Sequence, residues 1–149
     1  MWKMVGTVLG VFATFALSTI AHGEPSSKSV TAFFAAYEQA RQPDAKSDDL
    51  EAFLAFLADD LTDHHHAYAR VFEGKAHLRN GIRQKSQSMV SLSQEIEQLV
   101  IGTSVAVAVV NEDSRYYKDD ELKRFQGRTI FVLIFDQSGL ITEMRRYLD

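Results

Sequence analysis

Residues 127–135, Gly-Arg-Thr-Ile-Phe-Val-Leu-Ile-Phe, decide the fold of this 149-residue chain. The six consecutive apolar residues from Ile130 to Phe135 would give a β-strand two apolar faces, because successive side chains point to opposite sides of a sheet. A strand of this kind is covered on both faces. We therefore expect helices against one face of a central strand. The other face lines a partner or lies under another element of the chain, and we interpret it as a homodimer interface.

The segments on either side of this strand also have strand patterns. Val105, Val107 and Val109 alternate with Ala106 and Ala108, which is the period of a strand. The sequence Asp-Gln-Ser-Gly at 136–139 is typical of a tight turn. The prediction is an antiparallel meander of four strands, over residues 94–101, 104–113, 121–136 and 140–148.

The N-terminal half has helical spacing instead. Apolar residues recur at i, i+3, i+4, i+7 and i+10 from Val30 to Ala40, which predicts an amphipathic helix. Asp48 and Asp49 then open a second helix whose apolar face runs from Leu50 to Leu61, since the helix dipole favours acidic residues at that end. A strand or extended arm over 61–71 and a third helix over 75–89 follow. This order predicts an α+β fold, with N-terminal helices packed on a curved, mainly antiparallel sheet.

The first 23 residues read as a secretory signal peptide. One cation precedes an apolar run from Met4 to Ile20, and small residues follow at Ala21 and Gly23. An uncleaved membrane anchor is the alternative, because the run is nearly long enough to span a bilayer. Cleavage would leave a short linker over 24–29, a domain over 30–149, no membrane attachment and a periplasmic or secreted location.

Charge and cysteine content exclude several classes of function. The formal net charge is −4 and there is no basic run, so nucleic acid is not an expected partner. The chain has no cysteine, which excludes disulfides and thiolate metal sites.

Several motifs in order resemble a known family. They are the helix-to-strand segment 56–65, the turn and helix start at 72–75, the strand 127–135, the turn 138–141 and the terminal Arg-Tyr-Leu-Asp at 146–149. Together they are similar to the nuclear transport factor 2-like superfamily, in particular its SnoaL-like branch. The resemblance implies a conical barrel with a pocket between helices and concave sheet, and usually a dimer. It also implies that an enzyme of this type would use a pocket Asp or His without metal or organic cofactor.

The tetrad Asp63-His64-His65-His66 supplies the candidate catalytic residues. In a strand, His64 and His66 share one face with Tyr68, while Asp63 and His65 share the other. Imidazole or carboxylate groups could remove a C–H proton, and a tyrosine could donate to the developing oxyanion. Asp63, His64 and His66 are therefore the acid–base candidates.

The carboxylate assignment and the role of the tetrad both have alternatives. Asp60 matches the family's carboxylate position about as well as Asp63 does. The tetrad could also be a polar strand at the domain rim, with solvated histidines. His-x-His occurs in metal sites, but only His77 offers itself as a third ligand, and the resemblance argues against metal. We predict no metal and no cofactor.

Three further residues are candidate ligand-binding groups, namely Tyr68, Tyr116 and Arg128. Arg128 lies within the most apolar strand, where an unpaired charge is costly, so it either pairs with a carboxylate or anchors an anionic ligand. Pairing is the favoured alternative. Arg145 and Arg146 fall on opposite faces of the last strand, so one of them should point inward.

Two classes of function follow. The first is an exported small-molecule-binding protein of the SnoaL-like type, with a pocket for a small apolar or carbonyl ligand and no assigned reaction. The alternative is a cofactor-independent isomerase, cyclase or dehydratase that uses His64 and His66, or Asp63, as acid–base groups. The sequence favours the first slightly, because no complete catalytic dyad is recognisable.

Overall fold

A computed structural model describes residues 23–149. The predicted signal peptide lies outside the described residues except for Gly23. Three helices, α1 (Ser27–Gln39), α2 (Ser47–Leu54) and α3 (Ala76–Ser88), pack on one sheet. The helix α1 begins at Ser27, three residues before the predicted start at Val30, so its first turn occupies the end of the predicted linker. The Ser26 hydroxyl caps it by accepting a hydrogen bond from the backbone N–H of Ser29 at 3.1 Å.

The sheet has six strands: β1 (Leu57–His65), β2 (Arg70–Glu73), β3 (Met89–Ile101), β4 (Val105–Lys118), β5 (Glu121–Phe135) and β6 (Ile141–Leu148). Their order is β2-β1-β6-β5-β4-β3, and only the β1–β6 pair is parallel. Strands β3 to β6 are the predicted meander. The predicted α+β class is confirmed, and the sheet is curved but not closed, because β2 and β3 remain as its edges.

Leu57 and Leu61 lie in β1 and not in the second helix, where their spacing placed them. The helix α2 already ends at Leu54. A separation of four residues marks one face of a helix, but an even separation also marks one face of a strand. Burial does not separate the two interpretations, since Leu57 and Leu61 are almost fully buried.

Strands β3 and β4 extend further than the sequence pattern indicated. β3 begins at Met89, directly after α3, instead of at residue 94. β4 runs to Lys118 instead of ending at residue 113. It joins β5, which begins at Glu121 as predicted, through a two-residue hairpin at Asp119 and Asp120, both in the left-handed region with φ of 53° and 61°. Such turns match the twist of a hairpin. The longer β4 pairs with β5 from Glu121 to Ile134, and the two strands form one wall of the site described below.

The two faces of the central strands have different surroundings. On the inner face, Ala106, Ala108, Val110, Phe131 and Leu133 are buried in the core beneath the helices. An aromatic cluster from α1 and α2 covers them, formed by Phe33, Phe34, Tyr37 and Phe53. The outer face presents the intervening side chains, which stand outside that core: Val105, Val107, Val109, Ile130, Val132 and Ile134.

Candidate functional site

A cleft opens between α1, α3 and the inner face of the sheet. It has two lobes of about 590 Å³ each, and six residues line both: Tyr37, Arg41, His65, Tyr68, Lys85 and Arg146. The α3 lobe is completed by Phe72, His77, Leu78, Gly81 and Ile82, among others. The sheet lobe is completed mainly by β4 and β5, including Glu112, Ser114, Tyr116, Phe125 and Phe131. Ligand sites commonly have volumes of roughly 300 to 1,000 Å³.

The helix α3 supplies one wall of this cleft through a single stripe of its surface. Leu78, Gly81, Ile82 and Lys85 are spaced i, i+3, i+4 and i+7, so they share one helical face. Apart from its chain neighbours and the backbone of its own helix, Gly81 has no atom within 4 Å of the position a Cβ would take. This wall therefore offers apolar side chains, open space at Gly81 and the positive charge of Lys85.

A buried carboxylate lies behind the α3 lobe. Asp63 is fully buried, and it accepts hydrogen bonds from Arg146 Nε at 3.2 Å and from Arg146 Nη2. His77 Nε2 lies 2.8 Å from Asp63 Oδ2. The His77 ring stacks on Phe72 with centroids 4.6 Å apart, which holds the imidazole in place. Asp63 thus reaches the cleft only through His77 and Arg146.

Strand pairing explains why Arg146 meets this carboxylate. β1 and β6 are parallel neighbours, with Asp63 opposite Met144 and His65 opposite Arg146. Met144 and Arg146 share the inner face of β6, so the guanidinium is delivered to the side on which Asp63 lies. Arg145 points to the other side and pairs with Glu143 at 2.5 Å. The prediction that one of the two arginines points inward is confirmed.

His65 is the histidine of the tetrad that lines the cleft. Its ring packs against Tyr68 with centroids 4.7 Å apart. Burial, followed by the nearby Arg146 charge, lowers the pKa of His65 to about 4. The imidazole is therefore neutral at physiological pH, and its Nδ1 is buried without a partner among residues 23–149. A neutral imidazole can donate or accept a proton in a hydrogen bond with a ligand.

Tyr37 and Arg41 form the α1 side of the cleft. The Arg41 guanidinium lies 4.1 Å from the centre of the Tyr37 ring, and its Nη2 donates to Glu112 Oε2 at 2.9 Å. Burial by itself would raise the pKa of Tyr37, but the positive charges of Arg41, Arg146 and Lys85 outweigh it and hold that pKa below its usual value. The phenol is accordingly tuned to donate to an electron-rich oxygen.

The structure places His64 and His66 on the outer face, away from the cleft. His64 Nε2 lies 3.2 Å from Glu143 Oε1, and the His66 ring stacks on Tyr147 at 4.1 Å. Neither histidine is among the residues that line either lobe. Their predicted convergence on a common ligand would therefore have to occur outside the cleft.

Strand alternation predicted that Tyr68 would share a face with His64 and His66, and this prediction is wrong. Residues 66–68 form a short 3-10 turn, which ends at Ala69 in the left-handed region with φ of 50°. The turn breaks the alternation and carries Tyr68 onto His65, where it lines both lobes.

The two other predicted ligand-binding residues, Tyr116 and Arg128, lie on opposite faces of the sheet. Tyr116 lines the sheet lobe. Arg128 is not a lining residue of either lobe, and it pairs with Asp149 at 3.1 Å and with Glu97 at 3.8 Å. This is the pairing that its position in an apolar strand favoured. Asp60 is exposed on β1.

Sequence patterns did not assign Arg41, His65, His77 and Arg146 to the site. One signal could have found Arg41, because it lies four residues after Tyr37 and so continues the buried face of α1 with a charge. The others meet only through the tertiary fold. Among residues 23–149, no group of three or more potential ligands could hold a metal ion, and no helix is long and apolar enough to cross a membrane.

Helices laid over a curved sheet, with a cleft between the two layers, define the nuclear transport factor 2-like class of α+β proteins. The chain belongs to the SnoaL-like domain family, whose model matches residues 30–144. No curated protein sequence matches the chain.

Solved structures have the same fold at low sequence identity. One is a protein of Catenulispora acidiphila with a ketosteroid isomerase-like fold, in complex with trimethylamine. It is 15% identical, with a TM-score of 0.63, and the match covers 83% of this chain and 86% of that one. An epoxide hydrolase of Mycobacterium tuberculosis, similar to the LEH type, is 19% identical, with a TM-score of 0.60 over 78% and 80%. An NTF2-like protein of Anabaena variabilis is 14% identical, with a TM-score of 0.66 over 82% and 87%. At these identities the likeness establishes the fold alone.

Proposed function

We propose that this protein binds a small, largely apolar molecule in the cleft between α1, α3 and the sheet. The observation that carries the proposal is the lining of the cleft. Apolar side chains such as Leu78, Ile82 and Phe131 lie beside convergent polar groups, which include Tyr37 and the neutral His65. Such a combination is typical of ligand sites, where apolar contact provides affinity and few polar groups fix orientation.

The polar groups indicate that the ligand carries an oxygen acceptor. The Tyr37 hydroxyl and the neighbouring cations all favour an electron-rich oxygen, such as a carbonyl. The Mycobacterium tuberculosis protein with the same fold is an epoxide hydrolase, which agrees with a binding role for this cleft without assigning the ligand.

A fluorescent apolar probe tests binding in the cleft directly. N-phenyl-1-naphthylamine brightens when it leaves water, so titration should give saturable binding to the wild-type protein. Gly81→Leu fills open space in the α3 lobe, and we expect it to weaken probe binding by about tenfold or more, since overpacking a site excludes ligand. Asn80→Leu adds the same side chain to the same helix outside the cleft and should change binding by less than about twofold. Equal effects of the two variants would place the probe elsewhere.

Proton-transfer catalysis is the second candidate function. The observation that favours it is the fully buried Asp63 bonded to His77 and Arg146, next to a neutral His65. A carboxylate that orients an imidazole beside a pocket can serve in acid–base chemistry. His64 and His66 face away from the cleft, so in this version Asp63 would act through His77, and His65 would be the base.

Deuterium exchange at the carbon next to a carbonyl tests the catalytic candidate. If the protein is an isomerase- or cyclase-type enzyme, a panel of cyclic ketones in D₂O should show accelerated exchange by NMR. His65→Gln should then lower the exchange rate by about a hundredfold, which is the usual contribution of a general base. His66→Gln is the matched control and should leave the rate unchanged. Absence of accelerated exchange across the panel would leave binding without catalysis.

We also propose that the outer face of β4 and β5 forms a homodimer interface. Val107 and Val132 are direct neighbours in that face, and a row of half-buried valine and isoleucine side chains favours contact with a second copy. Light scattering should give twice the chain mass for the wild type and the single mass for Val132→Arg. A monomeric wild type at micromolar concentration would contradict the proposal.

Export is the last part of the proposed function. Its support is the three-part pattern of residues 1–23. N-terminal sequencing of the protein recovered from the periplasmic or culture fraction should begin at Glu24. Recovery of the full chain in a membrane fraction would favour the uncleaved anchor.

A further inference from the structure

The charge of the α3 lobe is opposite to that of the protein as a whole. The chain has a formal net charge of −4, yet the residues that line this lobe include four cations and no carboxylate. The four are Arg41, Arg70, Lys85 and Arg146. Asp63 touches the lobe only from behind, through Arg146 and His77. A positive, partly desolvated concavity concentrates negatively charged ligands.

Both guanidinium groups keep donors for a ligand. Arg146 uses Nε and Nη2 on Asp63, which leaves Nη1. Arg41 uses Nη2 on Glu112, while its Nε is buried without an acceptor among residues 23–149. Arg41 is 4% exposed, so an unmet donor at this depth costs free energy that a ligand oxygen would recover.

Lys85 completes this arrangement at the mouth of the cleft. It lies one turn after Ile82 on the cleft-facing stripe of α3 and lines both lobes. Within residues 23–149 no carboxylate forms an ion pair with it, in contrast to Lys75, which pairs with Asp59 at 2.8 Å. The Lys85 ammonium group therefore faces the cleft, and no carboxylate of residues 23–149 neutralises its charge.

The sheet lobe differs from the α3 lobe by a carboxylate: its lining includes the cations Arg41, Lys85, Lys118 and Arg146, but also Glu112. The Glu112 carboxylate already accepts hydrogen bonds from Arg41, from Gln94 at 3.1 Å and from Ser114 at 3.1 Å. A second negative charge at that point would be repelled. The apolar residues of this lobe, among them Phe125 and Phe131, suit instead the uncharged body of a ligand.

We propose that the ligand of this cleft is an amphiphilic anion, whose acidic group binds Arg41, Lys85 and Arg146 in the α3 lobe and whose apolar body lies towards the sheet lobe. The proposal rests on the proposed binding function and specifies its ligand class. Carboxylates and sulfonates both fit, because each presents two or more oxygen acceptors to guanidinium donors.

A matched pair of fluorescent probes tests the charge preference. 8-Anilinonaphthalene-1-sulfonate and N-phenyl-1-naphthylamine share one apolar body and differ by the sulfonate. At low salt we expect the sulfonate to bind at least about tenfold more tightly, which is the usual contribution of charge-assisted hydrogen bonds. The difference should narrow in 0.5 M NaCl, where charges are screened.

Two lysine variants then locate the recognition. Lys85→Gln should weaken sulfonate binding by about threefold, as expected for a partly exposed charge pair, and should leave the neutral probe unchanged. Lys28→Gln removes the same charge from the exposed surface of α1 and should affect neither probe. Gly81→Leu, measured in parallel, should weaken both.

The outcomes separate the two proposals. Equal affinities for the two probes, or equal effects of Lys85→Gln and Lys28→Gln on sulfonate binding, would overturn the anion preference and leave the binding function intact. Failure of Gly81→Leu to weaken either probe would overturn the binding site itself, and the anion preference with it.

Discussion

The residues of the tetrad Asp63-His64-His65-His66 lie in two different environments, one on each side of the sheet at β1. On the inner side, Asp63 is fully buried against Arg146, and His65 lines the cleft as a neutral imidazole. On the outer side, His64 pairs with Glu143 and His66 stacks on Tyr147.

The neighbouring strand determines this difference. β6 presents Arg146 to the inner side and Arg145 to the outer side. Inside, the arginine fixes a carboxylate. Burial, and after it the charge of this arginine, lowers the pKa of His65 and suppresses its protonation. Outside, the same residue types form ion pairs in contact with solvent, which contribute little to stability. Similar histidines in adjacent positions therefore have different chemical capacities.

The largest expected contrast is in stability. Asp63→Asn leaves the largely buried Arg146 charge without its counter-charge, and should lower the free energy of unfolding by about 3 kcal/mol. His64→Ala on the outer side should cost less than about 1 kcal/mol. Urea denaturation measures both.

A double variant checks the cause of that contrast. Asp63→Asn combined with Arg146→Met removes both charges, and should recover part of the stability lost in Asp63→Asn alone. Similar losses for Asp63→Asn and His64→Ala would mean that the two sides do not differ as described.

The second contrast concerns pH. The pKa of His65 falls from 6.5 to about 4 on folding, so the unfolded chain binds more protons between these values and the protein loses stability as the pH falls from 6.5 to 4. After allowance for solvent screening, we expect this contribution to be about 1–2 kcal/mol. Stability curves against pH for wild type and His65→Gln should converge as the pH falls through this window.

His66→Gln is the matched control for the pH experiment. It removes a histidine from the outer side, and the loss of stability between pH 6.5 and 4 should persist in it. A flat difference between wild type and His65→Gln across the window would show that His65 keeps an ordinary pKa.

The smallest expected effect is on the outer side itself. His66→Ala removes a ring stacked on Tyr147 at 4.1 Å, and should lower the free energy of unfolding by about 0.5–1 kcal/mol without changing probe binding in the cleft. A double-mutant cycle with Tyr147→Ala would isolate the stacking energy. Weakened probe binding in His66→Ala would contradict this prediction, because it would show that the outer side of β1 affects binding in the cleft.

Local patterns were sufficient for most of the fold. The apolar run Ile130–Phe135 predicted a strand between two covered layers, and it forms the C-terminal end of β5. The helical spacing from Val30 onward predicted α1. The error at Leu57 and Leu61 arose because a four-residue spacing fits a helix and a strand equally.

The site was less predictable because its residues meet only in three dimensions. Alternation correctly separated Asp63 and His65 from His64 and His66, but which pair faces inward depends on parallel pairing with β6, far along the chain. The 3-10 turn that redirects Tyr68 has no strong local signal. Arg146 became part of the site through that pairing alone.

The difference between the two sides of β1 is tested most directly by histidine side-chain NMR during titration with N-phenyl-1-naphthylamine. The inner position of His65 predicts that its imidazole ¹H and ¹⁵N resonances shift with the saturation of the probe, while those of His64 and His66 stay in place. Shifts of His64 and His66 with a silent His65 would contradict the assignment of the cleft to the inner side.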